Sequence, residues 1–355
     1  MSDKTGSDKT NPGNFFEDFR LGQEIRHATP RTVTEGDAAV YMALYGSRFA
    51  VPSAATFARA LGFERAPLDE LLAFHVVFGK TVPDISLNAV ANLGYAACHF
   101  CAPVYAGDTL ATVSTVIGLR ENSNRQSGVV YVHSIGRNQH GAVVQDYIRW
   151  VMVRKRDAAA PAPAGDAPKL PAAVTVDQLH VPRGLMLDAY DDTLAGSLHR
   201  FADYAVGEKI DHVDGTTIEE SEHAMATRLY QNTAKVHFNQ HSESQGRFGK
   251  RLIYGGHIIS IARALSFNGL ANAFRIAAIN GGSHVAPTFA GDTIYAWSEV
   301  LDAQPLPGRG DLGALRLRTV AAKDHPCADF PYKTADGKNH PAVVLDLDYW
   351  VLMPR

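Results

Sequence analysis

The chain repeats itself. Pro103-Val-Tyr-Ala-Gly-Asp-Thr-Leu110 returns 184 residues later as Pro287-Thr-Phe-Ala-Gly-Asp-Thr-Ile294. Phe16-Glu-Asp-Phe-Arg-Leu-Gly-Gln-Glu-Ile25 is echoed 185 residues on by Phe201-Ala-Asp-Tyr-Ala-Val-Gly-Glu-Lys-Ile210, and Asp146-Tyr-Ile-Arg-Trp150 is echoed 200 residues on by Asp346-Leu-Asp-Tyr-Trp350. Three echoes in one order mark an internal duplication, so two like units are expected, and the positions where they disagree point to function. With 355 residues, each unit is long enough to bury its own core. Between the copies, Ala158-Ala-Ala-Pro-Ala-Pro-Ala-Gly-Asp-Ala-Pro168 has a linker's composition. The expected organisation is a disordered polar tail over 1–14, a first repeat over 15–156, a linker over 157–195 and a second repeat over 196–355.

Both copies read in the same order. Thr32-Val-Thr-Glu35 and Thr217-Ile-Glu-Glu220 place acidic residues at a helix start. Helices follow over Asp37 to Tyr45 and Ser221 to Tyr230, and then more apolar, buried ones over Leu71 to Val82 and Gly256 to Phe267. The remainder is β-branched and of strand length: Thr109 to Ile117, Gly128 to Ile135 and Ala342 to Leu352. Each unit is therefore an antiparallel sheet wrapped around one buried helix, an α+β arrangement.

A net charge of −3 leaves no basic surplus for nucleic acid. No apolar stretch has the length of a membrane span, and the start lacks a signal peptide's apolar core, so a cytoplasmic location is expected. Three cysteines fit a reducing compartment. Cys98-His-Phe-Cys101 lacks the second pair of a zinc site and reads as packing thiols.

The helix followed by long strands and the Pro-x-x-x-Gly-Asp-Thr element resemble the MaoC-like hydratases, here as a tandem, or double, hot-dog fold. In that element the proline and glycine turn the chain and the aspartate caps the turn. The resemblance implies a hydro-lyase acting on an α,β-unsaturated CoA thioester, with an Asp and a His five residues apart after the first helix. In the second copy Asn232 and His237 have that spacing; in the first, Ser47 and Pro52 stand there. Proline has no acid–base chemistry, so the second repeat is expected to carry the site. Asn232 departs from the family: an amide orients a water or a carboxylate but exchanges no proton at neutral pH. Proton work then falls on His237, with His241, Glu243, Glu219 and Glu220 as open candidates for a second carrier. The resemblance places the oxyanion hole at Leu252-Ile-Tyr-Gly-Gly-His257, where the Gly255 or Gly256 amide would hold the thioester oxygen. Tyr254 belongs to the same element, and His257 is within reach, although His75 in the first copy favours a structural role for both histidines.

Small charged acyl groups need a cation. Lys235, inside the Asn232–His237 motif, and Arg247 and Arg251, before the glycines, are the candidates for a substrate carboxylate or a CoA phosphate. The string Asn232-Thr-Ala-Lys-Val-His-Phe-Asn239 with Tyr254-Gly-Gly-His257 is similar to the mesaconyl-CoA hydratases within the MaoC-like group, which implies reversible addition of water to mesaconyl-C1-CoA, giving β-methylmalyl-CoA. The alternatives are a general (R)-specific enoyl-CoA hydratase, a hot-dog thioesterase and a non-catalytic acyl-CoA binder. The resemblance implies no metal and no cofactor, since CoA arrives with the substrate, and it is compatible with a homodimer.

Overall fold

The computed structural model describes residues 9–355. Residues 1–8 of the expected tail lie outside the described residues, whereas Asn88 Nδ2 donates to the carbonyls of Pro12 and Asn14, tying 12–14 to the body.

Among the described residues, eleven strands form one antiparallel sheet: β1 (Glu24–Arg26), β2 (Arg31–Thr32), β3 (Ala89–Phe100), β4 (Thr109–Glu121), β5 (Ser127–Arg137), β6 (Val143–Arg154), β7 (Lys209–Thr217), β8 (Arg275–His284), β9 (Thr293–Pro305), β10 (Leu312–Lys323) and β11 (Val343–Pro354). Their order is β1-β4-β5-β6-β3-β8-β11-β10-β9-β7, with β2 also on β4. The two hot-dog sheets thus meet edge to edge, through Ala96 opposite Gly281, Cys98 opposite Ile279 and His99 opposite Ala278. Joining these edges leaves neither central strand with unpaired backbone groups along that contact.

Two buried helices lie against this sheet, α2 (Glu70–Thr81) and α5 (Gly255–Leu265), each preceded by a shorter one, α1 (Glu35–Tyr45) and α3 (Glu220–Leu229). A capping box between Thr34 and Asp37 starts α1. α2 is buried from Leu71 to Thr81, and α5 from Gly256 to Arg263. These lengths agree with the apolar periodicity, although α5 ends at Leu265 and a bent turn follows.

The duplication extends to individual hydrogen bonds. Thr32 Oγ1 meets Thr109 Oγ1 and Thr217 Oγ1 meets Thr293 Oγ1, both at 2.8 Å. His27 Nε2 meets Ser114 Oγ, and His212 Nε2 meets Ser298 Oγ, again both at 2.8 Å. In the repeated Gly-Asp turns, Gly107 and Gly291 have φ of 98° and 95°, a left-handed backbone that suits glycine. Asp108 and Asp292 accept from the amides of Tyr105 and Phe289 at 2.9 Å, so these aspartates close turns.

The segment between the repeats does more than span a distance. Val174, Leu179, Leu185, Leu187 and Tyr190 are buried with Phe274 and Trp350 in a second cluster. Trp350 Nε1 donates to the Val174 carbonyl at 2.9 Å, so this strap covers the sheet near β8 and β11. Cys98 is buried, and burial pushes its thiol well above the usual range.

One glycine fixes how α2 meets the second repeat. A Cβ on Gly79 would sit 1.9 Å from the Tyr230 carbonyl oxygen and 3.4 Å from the Asn232 amide nitrogen. Backbone cannot give way as a flexible side chain does, so Gly79→Ala is expected to cost about 3 kcal/mol, read as a lower midpoint in urea unfolding relative to a Gly22→Ala control. Gly22 has open space around its Cα, although its φ of 76° adds a smaller strain.

Candidate active site

The site is built from the turn after α3, the short helix α4 (Lys235–Phe238), the start of α5 and the end of β8. α3 ends at Tyr230, and Gln231 turns the chain with φ of 54°. Asn232 follows, fully buried, its amide nitrogen bonded to the Thr227 carbonyl and its Oδ1 accepting from the Ala234 amide at 3.2 Å. α4 then presents His237. The first repeat keeps the same short helix, Ala50–Ser53, with Pro52 at the position of His237.

His237 Nδ1 lies 2.7 Å from the Leu252 carbonyl. A carbonyl only accepts, so Nδ1 carries the hydrogen and the neutral ring offers its lone pair at Nε2. Burial lowers its pKa to about 4, against the opposing pull of the Leu252 carbonyl, and the ring is thus neutral, a base, at neutral pH. Its centroid is 5.6 Å from that of Tyr254 and 5.8 Å from that of His223.

Tyr254 is the N-cap of α5 and provides no side-chain cap. Its own amide donates to His223 Nε2 at 2.9 Å. The next amides, Gly255 and Gly256, occupy the first turn, where a helix supplies no acceptor. Backbone N–H groups and the helix dipole at such a start favour a negative charge. Both glycines are needed for space: a Cβ on Gly255 would lie 2.3 Å from the His284 ring, and one on Gly256 would lie 2.4 Å from the Tyr254 ring and 2.6 Å from His75.

The corresponding helix start in the first repeat is filled by its own acids. Asp69 Oδ1 accepts from the Leu71 amide at 2.9 Å, and Glu70 pairs with buried Arg275 across the repeat boundary at 2.9 Å. Burial raises the pKa of Glu70 to about 7, with Arg275 opposing. A helix start already holding carboxylates has no room for an oxyanion.

The other expected residues fall as follows. His257 is buried, with Nδ1 2.8 Å from the Tyr45 hydroxyl. The two buried helices start 185 residues apart, so the counterpart of His75 is Ser260, which it meets at 2.9 Å, and not His257. Lys235 is exposed. Arg247 is exposed, its guanidinium over Phe248 at 5.1 Å. Phe248 packs on Phe289, over which Lys250 sits at 4.3 Å. Arg251 pairs with Glu220 at 2.6 Å. His241 and Glu219 are exposed and Glu243 is half-buried. A hollow of about 370 Å³, lined by Gly79, Lys80, Arg228, Gln231, Thr233 and Phe238 among others, lies against this segment.

Two residues escaped the sequence reading. His284, at the end of β8, abuts Gly255. Arg149, on β6, is completely buried over the Phe78 ring at 4.3 Å. Its guanidinium donates to Thr81 Oγ1 at 2.8 Å, with longer contacts to Ser86 and Asn92, and forms no ion pair among the described residues. Its Nε and the Asn92 Nδ2 are buried without acceptors. Phe78 in turn packs on Tyr254 at 5.7 Å. The available signal was the third echo, in which Arg149 matches Tyr349.

Fold and site together define a MaoC-like double hot-dog hydro-lyase. The mesaconyl-CoA hydratase family profile matches residues 3–331. The chain is 67% identical to a β-methylmalyl-CoA dehydratase of Chloroflexus aurantiacus, over 98% of this chain and 99% of that one. It is 62% identical to a mesaconyl-CoA hydratase of Cereibacter sphaeroides, over 98% of this chain and all of that one. A solved MaoC domain dehydratase from Chloroflexus aurantiacus superposes with a TM-score of 0.96 at 67% identity, covering 98% of this chain and 99% of that one. A double hot-dog protein of Mycobacterium tuberculosis, 22% identical, shares the fold with a TM-score of 0.78 over 97% of this chain and 99% of that one. The chain belongs to the mesaconyl-CoA hydratase family.

Six histidines are held neutral chiefly by burial, with pKa values lowered to about 3 (His75, His257), about 4 (His212, His237, His284) and about 2 (His223). The unfolded chain binds these protons near pH 6.5 and the folded chain does not, so stability falls as pH drops below 6.5. Each histidine contributes about 1.4 kcal/mol per pH unit down to its folded pKa. Urea unfolding at steps from pH 7.5 to 5 should show this slope, and His212→Gln, remote from the glycines, should flatten it by about one proton's worth.

Proposed function

We propose that the chain catalyses reversible addition of water across C2=C3 of mesaconyl-C1-CoA, giving β-methylmalyl-CoA. The observation that carries the chemistry is a neutral imidazole, His237, beside a helix start whose Gly255 and Gly256 amides have no intrahelical acceptor. The amides hold the thioester oxygen, which makes C3 electrophilic and stabilises the enolate that forms, a contribution of about 3–4 kcal/mol to the barrier. His237 Nε2 takes the proton of the attacking water, and Asn232 positions that water or the substrate. The names of the relatives at 67% and 62% identity support this substrate. The reaction needs nothing beyond the chain's own groups and the CoA carried by the substrate.

Arg149 supports a dicarboxylic substrate independently. A buried guanidinium without an anion is costly, by several kcal/mol, and here its Nε and the Asn92 Nδ2 lack acceptors. A substrate carboxylate reaching them past Phe78 would supply both the charge and the acceptors. The Arg247–Phe248–Phe289–Lys250 patch has the cations and rings that suit the phosphates and adenine of CoA.

Enoyl-thioester absorbance should fall on mixing with mesaconyl-CoA, without thiol release, and His237→Ala should abolish the change. Turnover of crotonyl-CoA alone would discard the substrate, and thiol release would point to a thioesterase. In Arg149→Gln, kcat/KM for mesaconyl-CoA should drop roughly a hundredfold, about 3 kcal/mol, while that for crotonyl-CoA stays within about threefold. An equal loss on both would reduce Arg149 to a structural role.

A further inference from the structure

The hydration just described needs two proton carriers, and the helical motif provides one. Asn232 cannot exchange a proton at neutral pH. Of the sequence candidates, His241 and Glu219 are exposed, Glu220 is engaged by Arg251, and Glu243 lies in the short helix Gln240–Glu243, whose N-cap is Asn239.

We propose that His284 is the second carrier, exchanging the proton at C2 of the substrate while His237 exchanges the proton of the water added at C3. The two rings flank one short element. His237 is anchored to the Leu252 carbonyl at 2.7 Å. Three residues on, the Cε1, Nε2 and Nδ1 atoms of His284 lie 2.3–2.5 Å from where a Gly255 Cβ would stand, so the polar edge of that imidazole faces the Gly255 Cα. Substrate connectivity then assigns the roles. The thioester carbon, whose oxygen the glycine amides hold, is bonded directly to C2, whereas C3 is one bond further away. The imidazole against Gly255 is therefore placed for C2, and the one anchored upstream is placed for the water.

The surroundings of His284 agree with this role. The ring is half-buried, and neither Nδ1 nor Nε2 is sealed off without a partner. The Tyr95 hydroxyl lies 3.4 Å from Nε2 and orients the ring. At the 184-residue offset that relates Pro103 to Pro287, the first repeat has Phe100, a buried apolar side chain. The histidine is thus confined to the repeat that also has His237 and the paired glycines. Proximity of the two rings also appears electrostatically: a charge on His237 adds to burial in lowering the pKa of His284, so the pair resists holding two protons at once.

The protons balance with one shared between the rings. In hydration, His237 Nε2 takes a proton from water as the O–C3 bond forms and the C2=C3 electrons move to the enolate. Protonated His284 then delivers its proton to C2 as the enolate collapses to the thioester. His237 ends with the proton taken from water and His284 ends neutral, so the pair holds one proton before and after, and exchange with solvent resets it. Burial holds both rings neutral in the free protein, so the shared proton enters with the substrate, whose carboxylate adds a negative charge to the site. In dehydration the neutral His284 removes the C2 proton, and protonated His237 gives its own to the departing hydroxyl.

This inference rests on the hydratase reading, and the test separates the two. Wild-type protein must first interconvert mesaconyl-CoA and β-methylmalyl-CoA; if it does not, the hydratase reading itself fails. Exchange of the C2 hydrogen of β-methylmalyl-CoA with deuterium oxide is then followed by NMR alongside dehydration. His284→Gln, and His284→Phe, which restores the residue type of the other repeat, should lose dehydration and exchange at least about a hundredfold while still binding succinyl-CoA. His237→Gln should lose dehydration to a similar degree but keep the exchange. Turnover by both His284 variants within fivefold of wild type, or exchange surviving in them, would overturn the proposal. So would equal loss of exchange in the His237 and His284 variants, or loss of succinyl-CoA binding in both His284 variants.

Discussion

The architecture depends on three residue pairs at the middle of the sheet, where β3 and β8 join the two repeats edge to edge. That pairing brings α1 and α2 of the first repeat against α5 and the end of α3 in the second, and polar, specific contacts join them. The Tyr45 hydroxyl bridges to Tyr230 at 2.8 Å and to His257 at 2.8 Å, while Ser260 bonds both His75 and Tyr41. Buried polar networks of this sort gain little net energy but tolerate no misfit. They fix the height of α5 against α1 and α2 and so the position of its first turn, where Gly255 and Gly256 lie.

The sequence exposed the fold because the duplication is written in contiguous, strongly patterned segments. The Gly-Asp turns, the β-branched strands and the apolar helices all depend on local periodicity, which a single chain displays. Asn232, His237, Gly255 and Gly256 stood out as candidates for a similar reason: they stand in two short motifs, and one repeat lacks both. His284 and Arg149 were not legible because each lies on a strand, where an inward position usually means packing, and acquires meaning only from what the sheet sets across from it. The cations read from the sequence, Lys235, Arg247 and Arg251, are close in the chain to His237 and the glycines. Nearness in sequence did not make them buried, and the buried guanidinium came from the other repeat.

The linker shows the same division. Its composition marked a boundary between repeats, but its second half buries Val174, Leu185 and Tyr190 against the sheet. Apolar residues spaced irregularly among prolines carry no period, so no pattern announced that this stretch belongs to the core.

The Glu70–Arg275 pair crosses from one repeat to the other, with the guanidinium buried and the carboxylate mostly so. It occupies the very helix start that in the second repeat is kept open by glycine. Returning Gly to position 70 would free that start and also strand Arg275 without a counter-charge, at a cost of about 3–5 kcal/mol. The repeat with Pro52 in place of His237 therefore also helps to hold the other repeat in position. The asymmetry between the repeats is thus part of what holds them together.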